Sequence, residues 1–326
     1  MKHMKFLSFF LGITFSIVAC SSNNEIIPVP DVDPDGDDGT TEIEFAKGAD
    51  IGWVTEYESK GYNFYNAKGE QRECTALMKE LGLNAIRIRV WVDPSKHGNW
   101  CNTADVVEKA KRAKELGMDI MIDFHYSDWW ADPAQQNKPA SWVGKNLANL
   151  KSAIKDHTVS VLQALKTIGV IPKWVQVGNE IRPGMLWDED VALSGASYNV
   201  TEKDLKDAPA SATDKVVYPM NWANLGAFVT TGYDAVKSVF PDAIVIVHLD
   251  NGWDSGLFTW FFDELKKNGG KWDMIGMSLY PYWSRDSKEG YSSADAVITD
   301  CISNIKALST KYNCDVMVVE TGMECA

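Results

Sequence analysis

The sequence predicts an α/β fold of the TIM (β/α)8 barrel type, and three observations carry that prediction. Strand-like runs alternate with helical stretches from residue 49 onward, which argues for parallel strands joined by helical crossovers. Polar residues gather directly after those runs, where a barrel places its reactive face. No glycine-rich phosphate loop follows the first strand, as a doubly wound open sheet would usually carry.

Lys2 and Lys5 precede an apolar run from Phe6 to Ala19, too short for an ordinary membrane-spanning helix and fit for the core of a signal peptide. It ends Ile17-Val18-Ala19-Cys20, which resembles a bacterial lipobox, with Cys20 the lipidated first residue of the mature chain; a plain signal peptide with a chance cysteine is the alternative. The stretch from Pro28 to Gly39 is rich in Pro, Asp and Gly, has no apolar period and cannot bury enough surface to fold. Asp31, Asp33 and Asp35 before Gly36 invite a calcium-loop reading, but Pro34 and the lack of a Glu six residues past the glycine favour a solvated linker. The expected division is a lipoprotein signal peptide over 1–19, a lipidated cysteine with an acidic tether over 20–44, and a catalytic barrel over 45–326.

Within the barrel the first strand is read at Ala49–Val54 and the second at Ala85–Trp91. Arg87 and Arg89 are one strand period apart and share a face. Ala104–Leu116 is the clearest helix, with Val106, Val107, Ala110, Ala113 and Leu116 on one side and Gly117 at its end. Met118–His125 is the third strand and Trp174–Val177 the fourth. In the fourth, Val175 and Val177 are β-branched, Gly178 lets the backbone leave, and Asn179 and Glu180 stand at the tip. Ala243–Leu249, Met274–Leu279 and Val316–Glu320 follow. The polar groups after the strands include Asp93, His125 to Asp128, Asn179-Glu180, His248 to Asn251, Tyr280 to Trp283 and Glu320. The chain ends six residues after Glu320, so the eighth strand is expected to be missing, through a C-terminally shortened chain rather than an open barrel.

A net charge of −13 argues against nucleic acid, because no basic stripe exists to meet phosphates. Thirteen tryptophans in 326 residues is a high count; part of it is core packing, and a flat indole also matches the apolar face of a pyranose. Besides Cys20, the cysteines are Cys74, Cys101, Cys301, Cys314 and Cys325, an odd number with no metal-type spacing. They read mainly as buried thiols, with room for one bridge in an oxidising compartment.

Glu180 and Glu320 each end a strand-like run and would face the same mouth. Two carboxylates at two strand ends is the arrangement that glycoside hydrolysis needs. The general acid must keep its proton near neutrality through burial and a neighbouring carboxylate, while the nucleophile must stay ionised. An Arg on the second strand can hold the nucleophile ionised, and Arg89, nearer the C-terminal end, is the expected one.

Gly48-Ala49-Asp50-Ile51-Gly52-Trp53-Val54, Arg87 to Pro94, Asp123-Phe124-His125-Tyr126-Ser127-Asp128-Trp129-Trp130-Ala131-Asp132-Pro133, Val177-Gly178-Asn179-Glu180 and Val319-Glu320-Thr321-Gly322 together resemble glycoside hydrolase family 53, over about residues 47–326. These are arabinogalactan endo-β-1,4-galactanases of the clan A barrel superfamily. The resemblance implies Glu180 as general acid/base and Glu320 as nucleophile of a retaining reaction on galactan. It implies Asn179 on the sugar 2-hydroxyl and Trp130 and Asp132 in the sugar cleft. His125 is expected as a hydrogen-bonding wall, Asp128 as a positioning residue and Tyr280 as a donor to Glu320. Asn251, Trp253 and Trp283 are weaker cleft candidates. The family continues into an eighth strand with a substrate-stacking Trp that this sequence lacks. No cofactor is expected; calcium occurs in the family beyond the nucleophile, where this chain stops too soon to judge. The expected partner is a polysaccharide, with no nucleic acid, a membrane met only through the lipid anchor, and a monomeric chain on the bacterial outer membrane at the cell surface. The other readings are a different clan A endoglycanase, on xylan or mannan, and a non-catalytic glycan-binding surface lipoprotein. The Asp-Phe-His-Tyr-Ser-Asp block argues against the first and the carboxylate pair against the second.

Overall fold

The computed structural model describes residues 45–187, 221–286 and 293–322, with only the backbone given at 283, 285 and 286. The signal peptide, Cys20, the tether and Cys325 lie outside the described residues.

Seven strands form one parallel sheet in the order β1-β4-β5-β6-β7-β8-β9. They are β1 Gly48–Asp50, β4 Ala85–Val90, β5 Asp119–Phe124, β6 Trp174–Val177, β7 Ile244–Leu249, β8 Met274–Leu279 and β9 Asp315–Thr321. The seven strands expected from the sequence are the seven observed. The first is shorter than expected, because Val54 opens a helix, Val54–Ser59, instead of closing a strand. A two-stranded antiparallel hairpin, β2 Phe64–Tyr65 with β3 Gln71–Arg72, was not legible.

Alternation along the strands builds two layers. Ile86, Ile88, Val90, Ile122, Phe124, Val175, Val177, Val245, Val247, Leu249, Ile275 and Met277 face outward into the main core with the helices. The opposite face begins, at the N-terminal ends of the strands, with an apolar plug of Ala85, Met121, Trp174, Ile246 and Met274, joined by Met317 and Val319. Two residues further along the same face the side chains turn polar at Arg87, Asp123, Gln176 and His248, and on β8 the polar residue is Ser278, two past Gly276. The period of two therefore stacks a dry base under a charged mouth.

Arg87 on β4 and Glu320 on β9 lie five strands apart in the sheet order. In a flat sheet that is about 24 Å, yet Arg87 Nη2 is 2.7 Å from Glu320 Oε1. The sheet curls into a barrel, and β1 and β9 are its two edges among the described residues.

The crossover helices are set by their first and last residues. Asn102, Asn146, Asn221, Asp254 and Ser293 each accept a hydrogen bond from the backbone N–H three residues on, opening helices Thr103–Glu115, Leu147–Thr167, Trp222–Val239, Ser255–Lys267 and Ala294–Tyr312. Gly117, Gly169 and Asn313 take left-handed backbone just past three of them and turn the chain towards the next strand. No helix among the described residues is long and apolar enough to cross a membrane.

Candidate active site

β6 ends at Val177, and Gly178 leaves it with φ +82° while its N–H donates to Phe124 O at 2.9 Å. Glu180 also sits in the left-handed region, at φ +48°, where a side chain other than glycine is uncommon. That turn aims the carboxyl into the mouth of the barrel, where Oε1 accepts a 2.6 Å hydrogen bond from Ser278 Oγ. Burial first, then the charges of Glu320 and Asp250, raise the Glu180 pKa well above the usual carboxylate range.

Glu320 reaches the mouth by a different device. Met317 and Val319 face the barrel interior, so strict alternation would send Glu320 to the outer face. A register shift opposite Met277 and Ser278 pairs Met277 with Val318 and Ser278 with Glu320. This bulge reverses the parity and brings the carboxylate inside. There Oε1 meets Arg87 and Oε2 accepts from Tyr280 Oη at 3.1 Å. Burial, then the charges of Glu320 and Glu180, push the Tyr280 phenol well up, so it stays a donor.

The arginine that holds Glu320 is Arg87, which corrects the expectation for Arg89. Both point inward, but Arg87 lies over the centre of the barrel and touches Asp50 (2.9 Å), Asp123 (2.9 Å) and Glu320 (2.7 Å). Arg89, one step further out, tilts sideways: its guanidinium sits 4.0 Å from the centroid of the Trp130 ring and 3.4 Å from Asp50. Being nearer the strand end placed it past the carboxylate rather than beside it. Burial would raise the pKa of Asp123, but Arg87 and His125 outweigh it and hold the carboxyl below its ordinary value; Arg89 and Arg87 do the same for Asp50.

Asn179 is buried and well tied: Nδ2 donates to Ala131 O at 2.8 Å, and Oδ1 accepts from Arg87 at 2.9 Å and faces Gln176 and His248. One N–H of its carboxamide remains for a ligand. His125 has both ring nitrogens engaged, Nε2 with Asp123 at 2.9 Å and Nδ1 by the Ala131 N–H at 3.0 Å. It props the loop after β5 rather than presenting a free donor. Asp128 staples that loop, accepting from the N–H groups of Asp93 and Ala140. Asp132 caps its own turn through Ala134 N–H and Gln135 Nε2, close enough to Glu180 to add to its raised pKa. Trp129 and Trp130 stay more than a third exposed, above the buried Trp91. They form the open aromatic wall of the mouth. Asn251 is in the left-handed region at φ +53°, and its carboxamide has no protein partner among the described residues. Trp253 packs on the core, and the side chain of Trp283 lies outside the described residues. Cys74, Cys101, Cys301 and Cys314 are free thiols.

Several residues of the site were given no role from the sequence: Asp50, Asp123, Gln176, His248, Ser278 and Gln136. The first five share a readable signal, a polar residue at an inward period-two position of an otherwise apolar strand. Gln136, whose Nε2 donates to Asn179 O at 2.8 Å, comes from a loop and carried none.

One carboxyl oxygen of Glu180, one of Glu320 and a ring nitrogen of His248 lie within 4.8 Å of one another. Among the described residues this is the grouping with metal-ligand chemistry. Both nitrogens of His248 are already engaged, however, Nε2 by Ser278 at 2.8 Å and Nδ1 by the Gln176 amide at 3.1 Å and the Glu180 backbone N–H. The close carboxyl pair, one buried and proton-retaining, the other held by an arginine and a tyrosine, can protonate a leaving group and attack the same carbon.

Comparison with known proteins agrees with this chemistry. The chain is 36% identical over 281 residues to an uncharacterised protein of the bgaB 5′ region of Niallia circulans, covering 86% of this chain and 68% of that one. It is 32% identical over 282 residues to the arabinogalactan endo-β-1,4-galactanase of Thermothelomyces thermophilus, covering 85% and 73%. A solved fungal β-1,4-galactanase superposes with a TM-score of 0.68 at 30% identity, over 85% of this chain and 73% of that chain. The model of glycosyl hydrolase family 53 matches residues 46–326, and with the barrel and its carboxyl pair this places the chain in that family.

Proposed function

We propose that the protein is an endo-acting β-1,4-galactanase that cleaves galactan and type I arabinogalactan side chains by retaining double displacement. The pairing of Glu180, buried and proton-retaining, with Glu320, held by Arg87, carries the reading, one oxygen of each carboxyl lying within 4.8 Å of the other. So close an approach of carboxyl oxygens favours a retaining pair, whose carboxyl groups stand about 5–5.5 Å apart, over an inverting pair at about 6.5–9.5 Å, which must admit a water. Glu320 attacks the anomeric carbon while Glu180 gives its proton to the departing glycosidic oxygen. Glu180 then takes a proton from the water that releases the glycosyl group from Glu320. Arg87 and Tyr280 hold the nucleophile in place, and the free N–H of Asn179 meets the sugar 2-hydroxyl. Galactan as substrate is supported by the names of the relatives, and Trp129 and Trp130 offer faces on which a galactose ring can stack. Two carboxyls suffice for this chemistry without a cofactor.

The test is product analysis on linear β-1,4-galactan beside xylan and mannan, with NMR of the first product. Oligosaccharides from galactan alone, released as the β anomer, are expected. An initial α anomer would reassign Glu320, and cleavage of xylan or mannan in place of galactan would move the substrate class.

We further propose a lipid anchor at Cys20 that holds the chain outside the cytoplasm with 20–44 as tether, which the apolar run to Ala19 and the cysteine after it support. Two or more acyl chains anchor stably where one is marginal. Cys20→Ala is expected to leave the membrane pellet with unchanged turnover, and a variant retained in the pellet would sink the anchor.

A further inference from the structure

We propose that Ser278, oriented by His248, is a positioning residue that fixes the acidic proton of Glu180 on Oε2, the oxygen offered to the glycosidic bond. The proposal rests on the glycosidase reading of Glu180 and goes beyond it.

Ser278 is 1% exposed, and its Oγ lies 2.6 Å from Glu180 Oε1 and 2.8 Å from His248 Nε2. A hydroxyl has one proton to donate, so the direction of both hydrogen bonds depends on the tautomer of His248. The backbone decides that tautomer. The Glu180 N–H points at His248 Nδ1, 3.4 Å away, and no other acceptor for it is present among the described residues. A buried N–H without an acceptor is costly, so Nδ1 must keep its lone pair. Asn179 Oδ1, 3.0 Å from Nδ1, needs no proton from it, because Arg87 already donates there at 2.9 Å. The ring is then the Nε2–H form, and Nε2 donates to Ser278 Oγ. The hydroxyl proton has one place left to go, Glu180 Oε1. An oxygen held as an acceptor by a fixed donor is the carbonyl oxygen of the acid, which leaves the proton on Oε2. That atom has no protein partner among the described residues. His248 must be neutral for this, and it is: burial, with the nearby Arg87 charge, holds its pKa well below the usual value.

Other titratable and charged groups face this chain of atoms: Arg87 on β4, Asp123 on β5, His125 and Asp132 after it, Asp250 with Arg182 beside β7, Tyr280 after β8 and Glu320 on β9. None is altered by a change at Ser278, so a comparison of variants isolates the hydroxyl. When Glu180 has given up its proton, the Ser278 hydrogen bond stabilises the carboxylate. Removing it must therefore raise the pKa of Glu180.

The experiment is the pH profile of kcat/KM for wild type, Ser278→Ala and Ser278→Thr, on β-1,4-galactan and on an aryl β-galactobioside with a good leaving group, after thermal melts. A hydrogen bond to a charged oxygen is worth about one pKa unit. The basic limb of the Ala variant is expected to move up by about one pH unit with the acidic limb unmoved. Its plateau should fall about tenfold or more on galactan and much less on the aryl substrate, which needs little protonation. Ser278→Thr should restore both readouts. A basic limb that stays in place, equal losses on the two substrates, or equal damage from Ala and Thr would overturn the proposal. If Ser278→Ala does not fold, Ser278→Cys, a weaker donor of similar shape, is read in its place with a smaller shift in the same direction. Failure of the glycosidase reading looks different: a wild type that cleaves neither substrate, or a Glu180→Gln variant with full activity.

Discussion

At the scale of single residues, Glu180 is a carboxyl placed where ionisation is penalised. Burial, Glu320 and Asp250 all favour its protonated form. An unfolded glutamate titrates near about 4.3, so between that pH and its raised native value the folded chain holds a proton that the unfolded chain has released. Stability is thereby lost as pH rises through that window, and nothing is lost below it. Glu180→Gln is neutral at every pH. We expect it to raise the thermal midpoint at pH 7 relative to wild type and to leave it unchanged or lower at pH 4. Turnover of galactan should fall about 10²–10⁴-fold, with the glycosylation step on an activated aryl substrate much less affected. Thermal melts at the two pH values, beside initial rates, check both halves. An equal shift at pH 4 and pH 7 would mean that ionisation is not what destabilises this site.

Among the elements, β9 shows how a strand delivers a side chain that its own periodicity would misplace. The bulge seats Val319 as an extra inward residue, and Gly276 on β8 makes room for it. A Cβ added at Gly276 would lie 2.7 Å from Ile246 Cγ2 and 3.3 Å from both methyls of Val319. Ile246 is fully buried in the plug and cannot swing away, and the β-branched Val319, partly buried against it, has few rotamers to yield with. Gly276→Ala is expected to cost about 1–3 kcal/mol, as overpacking does. It should also lower kcat, because Val319 can yield only by shifting the residue that carries the nucleophile. Denaturant melts and initial rates measure the two effects. A variant as stable and active as wild type would show that the plug has slack.

For the whole molecule, a half-buried histidine whose ring nitrogen is shielded from water weighs on acid stability. The ring of His157 packs edge-on against Phe124, Tyr126 and Trp142, and its Nε2 is closed off from water with no partner among the described residues. Burial lowers its pKa to about 4. An unfolded histidine takes a proton at about 6.5, so the unfolded chain gains protons first and stability falls as pH drops from that value towards the native one. The full effect is on the order of 3 kcal/mol. The pairs of Asp50 and Asp123 with Arg87 act lower, where their depressed carboxyls finally protonate. We expect His157→Phe to flatten the thermal midpoint between pH 7 and pH 4.5 relative to wild type. Parallel pH curves for the two proteins would assign acid sensitivity elsewhere.

The sequence by itself determined the barrel, its seven strands to within a residue or two at most ends, and the two glutamates. Those features rest on short-range signals: β-branched alternation, turn glycines, helix caps, and polar residues placed just after apolar runs. Tertiary structure decided which arginine serves the nucleophile, because the two candidates share a face and differ only in height in the barrel. It decided that Glu320 faces inward at all, since the bulge that puts it there depends on the partner strand. It also decided the chain from His248 through Ser278 to Glu180, whose members come from three strands far apart in sequence. Period-two placement marks His248 and Ser278 as inward, and the left-handed turn after β6 sends Glu180 there. Only the parallel pairing of β6, β7 and β8 side by side brings them within hydrogen-bond reach, where the direction of one bond is set by the next.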